Sequence, residues 1–155
     1  MRRTLIVAML LAAVSLPTWG HADVTVDGNI GVVRNSTGST SVTRGCNVLP
    51  AAAGTRLQVG DTLDTGPDGS LGVILRDNSS LSLGPSSRLV LRDFVFSPYK
   101  GKLGLWVRLS KGTMAYLSGL IGKMAPEKAR FDTPLATIGI RGTHFIVKAG
   151  DPVLQ

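Results

Sequence analysis

Phe131-Asp132-Thr133-Pro134-Leu135-Ala136-Thr137-Ile138-Gly139-Ile140-Arg141-Gly142-Thr143-His144-Phe145 reads as strand, proline corner, strand, glycine turn and strand again. Pro134 fixes its own φ and pushes Thr133 towards an extended backbone. Ile138 and Ile140 alternate with smaller neighbours, as on a half-buried strand. Gly139 and Gly142 bracket Arg141, where the chain is expected to bend, or to pass a neighbouring strand too closely for a Cβ. Extended pieces this short, punctuated this often, leave no room for a helix and point to an all-β fold.

The same pattern runs back to Val24, with short extended runs separated by turn chemistry at roughly 8–12-residue spacing. Val24-Thr25-Val26 and Ile30 to Val33 begin it, and Asn35 to Ser39 is expected to be a polar hairpin tip. Leu49 to Thr55, with Pro50, three alanines and Gly54, reads as a loop. Leu71, Val73 and Leu75 share one strand face, Leu81 and Leu83 another, and Leu89 and Leu91 point inward while Arg88, Val90 and Arg92 point out. Leu103 to Leu109 repeats the alternation, and Lys111-Gly112 is expected to turn the chain before Met114 and Tyr116. Gly119 to Pro126 suits one helical turn or an exposed loop. The expected architecture is a single all-β domain: a twisted stack of short antiparallel strands and hairpins, solenoid-like or sandwich-like.

Residues 1–22 stand apart. Arg2 and Arg3 precede an uncharged apolar run, Leu5 to Leu16, and Gly20-His21-Ala22 offers small residues before a cleavage point at Asp23. That run is too short to span a bilayer as a helix, which needs roughly 20 apolar residues. A cleaved secretory signal is therefore expected, with no membrane span afterwards and a periplasmic or secreted bacterial location. The β domain is expected over residues 23–148, and 149–155 as a short tail, natural or truncated. Without Arg2 and Arg3 the formal charge falls from +7 to about +5. The bases are scattered singly, which suits solvated strand faces rather than a nucleic-acid stripe. The one cysteine, Cys46, cannot form an internal disulfide.

No residue set favours catalysis. His144 is the single histidine after the signal and has no Cys or His at ligand spacing, so neither a metal nor a cofactor is expected. Asp61, Asp64 and Asp68 miss the 1-3-5 oxygen pattern of a calcium loop and read as turn formers. No nucleophile elbow, phosphate loop or dinucleotide fingerprint occurs. Trp106 and Tyr116 read as core or half-buried cover, or as candidate ligand contacts on an aromatic platform; Arg141 either satisfies local carbonyls at its turn or meets a partner.

The opening stretch resembles the T-P-x-A-x-x-G-x-R-G-T signature of FecR-type domains through Thr133, Pro134, Ala136, Gly139, Arg141, Gly142 and Thr143. Leu57 to Gly66 is similar to that family's L-x-x-G-D-x-L-x-T-G segment, and Leu71 to Leu83 to its strand, D-G-S, strand segment, with Asn78 in place of the glycine. The resemblance implies a mostly β, non-enzymatic periplasmic module in envelope sensing or signalling, acting by binding another envelope protein. The alternative is direct binding of an envelope polysaccharide or a small anionic ligand such as an iron chelate.

Overall fold

The computed structural model describes residues 28–150; the expected signal over residues 1–22, Val24-Thr25-Val26 and residues 151–155 lie outside the described part. Among the described residues twelve strands form one continuous sheet. They are β1 (Asn29–Thr37), β2 (Thr40–Arg44), β3 (Asn47–Pro50), β4 (Arg56–Gln58), β5 (Thr62–Thr65), β6 (Ser70–Leu75), β7 (Ser80–Leu83), β8 (Arg88–Ser97), β9 (Lys102–Leu117), β10 (Ala129–Asp132), β11 (Thr137–Gly139) and β12 (His144–Ala149). One short helix, α1 (Leu120–Met124), follows β9, as the sequence allowed.

The strands are best understood as long ribbons, each bent once. β1 leads straight into β2, β3 into β4, β5 into β6 and β7 into β8. The bends lie side by side at Gly38-Ser39, Ala51–Thr55, Gly66–Gly69 and Gly84–Ser87, and β9 bends at Lys111-Gly112. Backbone pairing continues through them: Gly66 N–H donates to Ser39 O (2.7 Å), Ser86 N–H to Gly66 O (2.9 Å) and Gly84 N–H to Thr113 O (3.0 Å). This row of bends is a crease that folds the sheet over itself. Sheet pairings of β1, β4, β6, β7, β12 and the second part of β9 form one half. Those of β2, β3, β5, β8, β10, β11 and the first part of β9 form the other. The all-β single domain is thus a curled, mostly antiparallel sheet, a half-barrel.

Alternating residues from both halves fill one core, including Leu57, Leu63, Leu71, Leu81, Leu89, Leu91, Val107, Leu109 and Phe131. At about 1.5–3 kcal/mol for each fully buried side chain, this core outweighs any surface ion pair.

Several local expectations change. Lys111-Gly112 is not a turn, because β9 runs unbroken from Lys102 to Leu117 and only bends there. Gly112 has φ +88°, and a Cβ on it would collide with Ser87. Asn35 to Ser39 is no hairpin tip, since β1 and β2 pair with other strands and not with each other. Leu49 and Pro50 belong to β3, an edge strand whose end tolerates proline. Gly139 and Gly142 pass close to nothing; Gly142 is required by its φ of +132°, not by crowding. β10 pairs with β9 in parallel, an exception to the antiparallel rule. Ala149, set with the tail by sequence, is buried in β12.

Candidate functional site

The stretch quoted first closes on itself around Tyr116. Phe131 on β10 and Phe145 on β12 lie on the two strands that flank successive parts of β9 on one side. Their rings meet at 5.0 Å, and each packs on Tyr116, at 4.7 Å and 5.3 Å between centroids. Tyr116 is fully buried, its hydroxyl 3.1 Å from Ser79 Oγ. Burial pushes its phenol above the ordinary value, although hydrogen bonds from Ser79 and Ser118 pull the other way. It cannot serve as a ligand platform, which corrects the sequence expectation.

Trp106 does face outward, on the opposite side of β9 from Tyr116's ring cluster, but its ring is already occupied. Arg92 from β8 on one side and Arg130 from β10 on the other place their guanidiniums 5.3 and 4.9 Å from the ring centroid. Its indole N–H donates to Asp132 Oδ2 (2.7 Å). Asp132 also accepts from Arg130 Nε (2.9 Å) and Thr137 Oγ1 (2.8 Å). Burial alone would raise the Asp132 carboxyl; these three donors and the Arg130 charge outweigh it and hold the group below its usual value. Trp106 and Tyr116 therefore form no shared aromatic surface.

The signature residues divide into two sets. Thr133 locks the corner: its N–H and hydroxyl both donate to Ala136 O (2.8 and 3.0 Å), and its oxygen accepts from Ala136 N–H (3.0 Å). Pro134, Leu135 and Ala136 form the exposed tip, with Leu135 92% exposed. Gly139, Arg141, Gly142 and Thr143 are exposed where the chain leaves β11 for β12, while Ile140 tucks into the core. Among the described residues the Arg141 side chain makes no hydrogen bond or ion pair.

Upstream, Gly60 turns at φ +91° and delivers Asp61 into the interior. Asp61 accepts from Arg44 Nε (2.8 Å), Arg44 Nη2 (2.7 Å) and Gln58 N–H (2.8 Å). The hydrogen bond to Asp61 raises the Arg44 guanidinium further above its already high value. Thr65 Oγ1 bridges the crease, donating to Gly84 O (2.7 Å) and accepting from Ser87 N–H (2.9 Å). Asp77, also fully buried, accepts from Ser79 N–H (3.0 Å), Ser79 Oγ (2.6 Å) and Ile121 N–H (3.2 Å), which pins α1 to the sheet. The G-D, T-G and D-x-S elements are thereby joints of the fold.

The sequence profile of the FecR protein family matches residues 61–155, more than half of the chain. The chain belongs to the FecR family. Its matched span begins at the buried Asp61 and includes the joints from Thr65 to the Phe131–Phe145 closure. The family is one of envelope signalling and sensing proteins. No match is found among curated proteins or among solved structures.

Among the described residues of this FecR domain no group of His, Cys, Asp and Glu is arranged to hold a metal, and no helix is long and apolar enough to cross a membrane. His144 is exposed at the start of β12, and Cys46 is exposed in the turn between β2 and β3. Sequence reasoning missed the guanidinium pair around Trp106 and the segment from Phe94 to Lys100. Their meaning depends on which strands become neighbours, and no local pattern encodes that.

Proposed function

We propose that this FecR domain is a non-catalytic periplasmic module that senses or signals by binding another envelope protein at the signature corner. One observation carries the reading: Arg141 is exposed, without a partner among the described residues, between the exposed tip at Leu135 and the edge strand β12. Thr133 spends its side chain on locking the corner, whereas Arg141 holds no described residue. An open sheet edge offers backbone hydrogen bonds to an incoming strand, and a guanidinium beside it offers a fork for a carboxylate.

In-cell crosslinking from a photoreactive residue at Leu135 should yield one discrete adduct, lost in Arg141→Ala and reduced in Arg141→Lys. Both variants should melt like the wild type, because Arg141 holds nothing in the fold. A drop in melting temperature with the adduct retained would assign Arg141 to structure and sink the reading. Direct binding of an anionic glycan is supported more narrowly, by Arg92, Arg108 and Arg130 on the outer face of β8, β9 and β10, with Trp106 covered rather than offered for stacking.

A further inference from the structure

Away from the crease, β8 outruns β5 and pairs with β9 alone from Asp93 to Ser97. Here lies a cleft of about 590 Å³, lined by Ile30, Val59, Phe94 and Phe96 among others. It adjoins a second cleft of about 340 Å³ at the hairpin tip, around Tyr99 and Lys100. Arg76 and Phe96 line both. Ile30 and Phe94 are buried and Phe96 half-buried, giving an apolar floor, while Val59 and Tyr99 remain open at the rim. Among the described residues no carboxylate lines either part, and the exposed Arg76 side chain makes no hydrogen bond or ion pair with a described residue.

Asn29, Gln58 and Ser97 share the lining, so an apolar strip with polar flanks lies beside a guanidinium that has no described partner, an arrangement that suits a small amphiphile. We propose that this cleft binds an anionic amphiphile, an apolar chain or ring bearing a carboxylate, with the carboxylate on Arg76 and the apolar body against Phe94 and Phe96. Arginine presents a planar fork that matches a carboxylate with two hydrogen bonds. Lys100 adds a second positive charge at the mouth. No residue of the signature corner lines the cleft, so the site is separate from the proposed protein contact.

Calorimetric titration of the secreted protein with dodecanoate, below its micelle concentration, tests the proposal. One saturable site is expected. Arg76→Ala should weaken it roughly ten-fold or more, as for a lost hydrogen-bonded charge, and Arg76→Lys should recover part of the loss. Phe96→Ala should also weaken it, whereas Arg141→Ala should leave it unchanged. Dodecanol, with the same chain and no charge, should bind at least about ten-fold less tightly. Melting curves verify that the Arg76 variants are folded. Equal binding of dodecanol, an unaltered affinity in Arg76→Ala, or binding to phosphatidylglycerol vesicles without binding to dodecanoate would each overturn the proposal.

Discussion

Asp61 and Asp77 are both fully buried, and each is satisfied by three donors, but only Asp61 faces a cation among the described residues. Removing one partner of a buried pair typically costs about 3–5 kcal/mol. Arg44 keeps 34% of its side chain open to water, which favours the lower figure. Asp61→Ala should therefore lose about 3 kcal/mol in a urea melt, and Asp61→Asn less, because the amide oxygen can still accept from Gln58 N–H. At Asp132 the prediction concerns pH. Its carboxyl lies lower in the folded than in the unfolded chain, so it contributes stability in full above the ordinary carboxylate value near about 3.9. That contribution declines as pH falls towards the lowered folded value and is gone below it. Melting temperature against pH should fall less steeply on acidification in Asp132→Asn than in the wild type. Identical slopes would remove Asp132 from the account.

The crease governs the element scale. Every ribbon bends in the same row, and the polar groups exposed by bending are recovered locally: Ser87 Oγ, for example, accepts from Thr113 N–H (2.9 Å) and donates to Thr113 O (3.2 Å). No buried side-chain polar atom among the described residues is left without a partner. Gly112, like Gly38 against Asp68, combines a left-handed backbone with a Cβ position that would collide, here with Ser87 backbone and side chain. Gly112→Ala should cost at least about 1–3 kcal/mol from the backbone alone, with the collision added. A stability change below about 0.5 kcal/mol in chemical denaturation would show that β9 need not bend at this point. The alternation of Leu105, Val107 and Leu109 was legible in the sequence. The continuity of β9 was not, because a Lys-Gly pair reads locally as a turn and only flanking strands on both sides hold it extended.

For the whole molecule, β9 is the axis. β7 and β8 lie along one side of it, β10 and β12 along the other, and the aromatic trio of Tyr116, Phe131 and Phe145 closes the second side. Ring pairs of this kind add about 0.5–1.5 kcal/mol each beyond their buried area. A chain ending at Thr143 would lose β12, Phe145 and the cover over Met114 and Tyr116. Its thermal transition by circular dichroism should be broad or absent, with aggregation through the bared edge. A sharp transition near that of the intact protein would show that β12 is an accessory and not part of the cooperative unit.

The sequence by itself determined the all-β class, the inward leucines, the turn at Asn78 and the FecR membership. These depend on two-residue alternation and on turn residues, whose physics is local. Tertiary structure decided the crease, the burial of Tyr116, the covering of Trp106, the Arg44–Asp61 lock and the Arg76 cleft. Each joins residues far apart in the chain, and register between strands, which a single strand does not carry, sets which side chains meet.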